Sequence, residues 1–109
     1  MKLFVKDRMV LMYIFNITSG NKMTFQDYML KKEIMSKIAF GDEDIEKYGI
    51  ENEKDGRMNW DIEKDRSNPL DLEIDEKTSS LLKKTVDMVS DGEHNADVWD
   101  VVQKVYDNC

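Results

Sequence analysis

The chain has 109 residues, enough for one domain with its own core and too few for two of ordinary size. An apolar share of 40% beside a charged share of 36% describes a modest core under a heavily ionised surface, and the patterning of the apolar residues excludes disorder throughout. The net charge of −7 gathers in the middle of the chain, which phosphate backbones repel, so direct nucleic-acid binding is disfavoured and a basic partner favoured.

From the start of the chain, Val5, Met9, Val10, Met12, Tyr13 and Phe15 predict a helix over 5–16 that is apolar round much of its circumference and central to the core. Ser19-Gly20-Asn21 stops it. Thr24 is placed to cap a second helix over 25–39, with Tyr28, Met29, Met35 and Ile38 on its inner side and Gln26, Lys31, Lys32 and Lys37 in water. Asp42 reads as the cap of a short third helix, with Glu43 and Asp44 in the first turn, where the helix dipole favours them, and Gly49 ending it after Tyr48.

The period then changes to two. Met58, Trp60 and Ile62 alternate with Arg57, Asn59 and Asp61 as a half-buried strand. Asp55-Gly56 before it is a hairpin signal. A two-residue loop would set Lys54 against Arg57, whereas the three-residue loop Lys54-Asp55-Gly56 sets Glu53 against Arg57 and Ile50 against Trp60, with Gly56 left-handed, and charge selects the second register. Glu63 to Asn68 reads as a polar loop, and Pro69 introduces a third strand in which Leu70, Leu72 and Ile74 face inward. Asp75 caps a helix over 76–90 that buries Leu81, Leu82, Val86 and Val89, and Ser90-Asp91-Gly92 breaks it. Asn95 caps a last helix over 96–107 carrying Val98, Trp99, Val102, Val105 and Tyr106. The expected architecture is one α+β domain spanning residues 1–109, with helices at both ends flanking a small antiparallel β-sheet of two or three strands.

The sequence carries few marks of chemistry. His94 is the single histidine and Cys109 the single cysteine, so neither a catalytic triad nor a zinc site can be built in the usual way, and no intrachain disulfide is possible. His94 reads as a solvated turn residue. Gly41-Asp42-Glu43-Asp44 and Asp71 to Glu76 are rich in carboxylates but lack EF-hand spacing, and the scattered glycines form no phosphate-cradling loop. No cofactor or metal is expected. Asn16-Ile17-Thr18 matches a glycosylation sequon by chance. Trp60 and Trp99 follow their elements' apolar periods and read as core, as do Met9, Met12, Met29, Met35 and Met58. Asp7 interrupts the basic start of what would otherwise resemble a signal peptide, and no apolar run approaches the ~20 residues that span a bilayer. A cytoplasmic, non-membrane protein is expected.

Lys6-Asp7-Arg8 opening an apolar helix, Phe40-Gly41-Asp42-Glu43-Asp44-Ile45 leading to Tyr48, Met58-Asn59-Trp60-Asp61, and Leu72-Glu73-Ile74-Asp75-Glu76-Lys77 together resemble the small proteins that tailed phages and prophages of low-GC bacteria encode. The resemblance implies a setting, an infected bacterial host, and brings no catalytic residues with it.

Residues 1–39 carry seven basic and three acidic groups (+4), residues 40–76 five and fourteen (−9), and residues 77–109 four and six (−2). The leading expectation is therefore a non-catalytic inhibitor or accessory factor, of the anti-CRISPR or other anti-defence kind. It would dock Asp42, Glu43, Asp44, Glu46, Asp61, Glu63, Asp71 and Glu73 on a basic surface of a host protein and compete there with nucleic acid. The alternative is a structural or assembly protein that forms a homo-oligomer, its charge serving solubility. An enzyme using carboxylates and a divalent metal lacks any ligand pattern.

Overall fold

Buried side chains recur at Val5, Arg8, Leu11, Ile14 and Phe15, roughly one per helical turn, and the helix that carries them is the element around which the others pack. The computed structural model describes all 109 residues. Their order is β1 (Lys2–Leu3), α1 (Val5–Ile17), α2 (Phe25–Ile38), α3 (Asp42–Tyr48), β2 (Glu51–Asn52), β3 (Met58–Asn59), α4 (Ile62–Ser67), β4 (Leu70–Asp71), α5 (Glu76–Val89) and α6 (Ala96–Asn108). The fold is α+β, with two separate antiparallel pairs, β1 with β4 and β2 with β3.

The main core lies where α1, α2, α5 and α6 meet. Leu11, Ile14 and Phe15 of α1 pack with Ile34 and Ile38 of α2, Leu81, Leu82, Val86 and Val89 of α5, and Val98, Val101, Val102 and Val105 of α6. Leu3 and Leu72 close one end. The long helices begin where their caps are. Thr24 Oγ1 accepts from the Asp27 N–H at 3.1 Å, Asp75 Oδ1 from the Thr78 N–H at 2.7 Å, and Asn95 Oδ1 from the Val98 N–H at 3.2 Å. No helix is long and apolar enough to cross a membrane.

A second, smaller cluster of Val5, Tyr48 and Ile50, with Met9, Phe40, Met58 and Trp60 packed on it, joins α3 and the hairpin to the start of α1. The hairpin has the register that charge selects. Glu51 faces Asn59 and Asn52 faces Met58, which places Glu53 opposite Arg57, 3.6 Å apart as an ion pair. Gly56 is left-handed at φ 86°.

Several expectations are corrected. Gly41, not Asp42, is the N-cap of α3, and its N–H donates to Asp44 Oδ2 at 2.8 Å. The strand after the hairpin ends early, because the Asp61 carboxylate accepts from the N–H groups of Glu63 and Lys64 and starts α4 where a polar loop was expected. Ile62 is consequently exposed. The strand after Pro69 pairs not with the hairpin but with Lys2–Leu3, an element without a sequence signal of its own. The inner side of α2 is Ile34 and Ile38, while Tyr28 and Met29 face outward. Met9, Met12, Met35, Met58, Trp60 and Trp99 pack at the edges of the two clusters, not inside them.

Leu82 is fully buried in the main core. Leu82→Ala is expected to cost about 3 kcal/mol, seen in urea as a lower unfolding midpoint with an unchanged slope.

Candidate protein-binding face

A charged side chain inside the fold determines how the acidic segment is presented. Arg8 lies in the apolar stripe of α1 and is only 2% exposed, a position that a guanidinium occupies only with its donors satisfied. Its Nε donates to Ile38 O at 2.9 Å and its Nη2 to Ala39 O at 2.9 Å, which supplies two of the carbonyls left open at the C-terminus of α2. Nη1 reaches Asp44 Oδ1 at 3.2 Å. Phe40 lies against the guanidinium, its ring centroid 4.3 Å away. One residue thus joins α1, the end of α2 and the first turn of α3.

Asp44 is therefore spent internally, with one oxygen on Arg8 and the other on the Gly41 N–H. Partial burial pushes its carboxyl up, but the hydrogen bonds from Arg8 and Gly41, with the charges of Arg8 and Lys47, outweigh burial and hold it below the ordinary range. Asp42, Glu43 and Glu46 stay exposed on the same helix and make no ion pair.

Polar ties hold α4 beside α3. Asp61 N–H donates to Tyr48 O at 2.8 Å, and the Tyr48 hydroxyl donates to Asn68 O. Asp65, 7% exposed, accepts from the Val5 N–H at 3.0 Å and so anchors α4 to the first turn of α1. With Asp65 turned inward, Asp61 and Glu63 remain exposed, Asp61 also capping its helix. Two packed helices thus present Asp42, Glu43, Glu46, Asp61 and Glu63 without ion-pair partners, alongside Lys47, Lys64 and Arg66.

The other two candidate residues stand elsewhere. Asp71 on β4 pairs with the amino group of Met1 at 3.3 Å. Glu73 follows it and lines a small cleft with Lys37 and Leu30 of α2. The eight residues are thus divided by role: five exposed carboxylates on α3 and α4, Asp44 in an internal pair, and two beside β4. The hairpin adds Glu51, Glu53 and Asp55 against Lys54 and Arg57, a net −1, with Arg57 pairing with both Glu53 and Asp55.

Sequence reasoning missed Arg8 and Asp65 as structural residues. Arg8 had a signal, since it falls three residues after Val5 and three before Leu11 in the apolar stripe. Asp65 had none, because its partner is sixty residues away. His94 sits in its turn with its ring edge-on to Trp99, whose Nε1–H donates to the His94 carbonyl at 3.0 Å. No group of three or more His, Cys, Asp or Glu side chains is placed to hold a metal ion.

The depressed Asp44 pKa fixes the sign of a pH effect. The unfolded chain takes up this proton more readily than the folded one, so the ion pair stabilises the fold fully above the ordinary value of 3.8 and progressively less as pH falls through the lower folded value. Asp44→Asn is expected to be less stable than the wild type near neutrality, with the gap closing in acid. Urea unfolding of both proteins across the acid range checks this, and a constant gap would contradict it.

In comparisons with known proteins, no family model matches the chain, and no curated protein and no solved structure matches it.

Proposed function

We propose that the chain is a non-catalytic binding factor that applies the carboxylates of α3 and α4 to a basic surface of a partner protein. In the setting implied by the phage resemblance, the partner is a host protein whose nucleic-acid-binding surface the factor covers, as an anti-CRISPR or other anti-defence protein would. Carboxylates held by the fold stand in for phosphates. They release the counterions that a nucleic acid would release and accelerate encounter at low salt. The observation that carries the reading is that Asp42, Glu43, Glu46, Asp61 and Glu63 are exposed and unpaired on two helices packed together, while Asp44 and Asp65 hold those helices to α1. The carboxylates are therefore positioned before the partner arrives, which lowers the ordering cost of binding.

The test uses Asp42→Lys, Glu43→Lys, Glu46→Lys and Glu63→Lys together, with Asp44 left in place because its reversal would break the Arg8 pair. Wild-type chain immobilised against host lysate is expected to retain a basic protein that added DNA or RNA displaces, and the reversed chain is expected to release it. Association with the captured protein should slow by about tenfold or more at low salt on reversal and weaken as salt rises. Binding that charge reversal and salt both leave unchanged would remove the proposal.

A further inference from the structure

One cleft of this acidic chain is basic. It lies where the end of α1, the loop after it, α2 and α5 meet, and it holds about 240 Å³. Lys22, Lys31 and Lys84 line it against the single carboxylate of Asp27, a net +2, whereas three other clefts each carry a net −2. Lys84 already answers Asp27, at 3.4 Å. Lys22 and Lys31 make no ion pair, and Lys31 is half-buried, its Nζ 5.9 Å from the centroid of the buried Phe15 ring. An ammonium partly withdrawn from water without a counter-charge favours an anion beside it. Phe15 and Leu81, both buried, give the cleft apolar surface, to which Met23 and Met88 add. The Thr18 and Thr85 hydroxyls on the lining donate to the carbonyls of Ile14 and Leu81, each at 2.8 Å. The two unanswered lysines are therefore the donors open to a ligand.

We propose that this cleft binds a small amphipathic anion, a short acyl chain or single ring that ends in a carboxylate or a phosphate. The charged end sits between Lys22 and Lys31, and the apolar body lies against Phe15, Leu81 and the two methionines. The volume is below the range of about 300–1,000 Å³ usual for drug-sized ligands, which limits the body to a short chain or one ring. Both parts of the ligand are needed. Lysines at the surface hold a bare anion weakly in water, and a hydrocarbon alone would leave Lys31 without its counter-charge. A cation of the same shape meets the net +2 of the lining and is repelled. None of these residues belongs to the α3–α4 face, so the site stands independently of the binding role proposed for that face.

Titration of the isotope-labelled full chain with octanoate and, separately, with octyl phosphate, followed by amide chemical shifts at fixed ionic strength, tests this. Saturable shifts are expected with one or both, concentrated in residues 22–31 and 81–88. Acetate and inorganic phosphate lack the apolar body and octylammonium reverses the charge, so each is expected to bind at least about tenfold more weakly. Lys22→Gln with Lys31→Met removes both unanswered charges from side chains that make no hydrogen bond to the fold, and methionine keeps much of the Lys31 stem. This variant is expected to keep its unfolding midpoint while binding at least about tenfold more weakly. Lys32→Gln takes a charge from the same helix outside the cleft and is expected to bind as the wild type does, which separates a local effect from one of net charge. Absence of saturable shifts with both octyl ligands, equal binding of octylammonium or of the bare anions, shifts spread evenly along the chain, or undiminished affinity in the double variant would overturn the proposal.

Discussion

A guanidinium without water must find its partners in the fold, and the three hydrogen bonds of Arg8 tie together the helices of the first half of this chain. The group sits one turn into α1, and it takes carbonyls from the last residues of α2 and a carboxylate from the first turn of α3. Those carbonyls have no partner within their own helix, and Asp44 completes the charge balance, so a residue that would be costly alone is satisfied on three sides. Replacing Arg8 would leave both carbonyls without this donor and Asp44 without its counter-charge, and replacing Asp44 would leave the Arg8 charge buried without an acidic partner. The arrangement therefore acts as a clamp whose parts depend on each other.

The clamp matters because the two cores differ in size. The main cluster holds fifteen buried residues, from four helices, β1 and Leu72 just after β4, whereas the cluster beneath α3 and the hairpin holds three. So small an apolar contact cannot order the α3–hairpin–α4 segment by burial alone. Polar ties supply what is missing: Arg8 to Asp44, Asp65 to the Val5 N–H, Asp61 N–H to Tyr48 O, and Tyr48 to the Asn68 carbonyl. Acidic residues in this segment thus divide between two tasks. Asp44 and Asp65 face inward and fasten the helices, and Asp42, Glu43, Glu46 and Glu63 face water on the helices so fastened. The internal pairing fixes the helices that carry these exposed carboxylates.

Local signals carried most of the fold. The helices over α1, α5 and α6 follow from a 3.6-residue period bounded by Asp75, Asn95 and Ser19-Gly20-Asn21, and the hairpin register follows from which charges a loop length sets opposite each other. What escaped depends on contacts distant in sequence or on competing local choices. The pairing of Lys2–Leu3 with Leu70–Asp71 joins segments nearly seventy residues apart, and two-residue strands leave no period to read. Met58-Asn59-Trp60 begins a strand that Ile62 would extend by alternation, but Asp61 also offers a helix cap, and the cap prevails. The inner side of α2 was misread because Tyr28 and Met29 are apolar and correctly spaced for a core they do not enter. The acidic segment was legible as composition. Which carboxylates remain free was not, since that depends on where Arg8 and the Val5 N–H come to rest.

Amide hydrogen exchange on Arg8→Met measures the clamp most directly, because methionine keeps much of the side-chain volume and removes every donor. If Arg8 fastens the acidic segment to the body of the fold, amides of α3, the hairpin and α4 lose protection in the variant while those of α5 and the later turns of α1 and α6 keep theirs. Unchanged protection in α3 and α4, or an equal loss throughout the chain, would contradict the account.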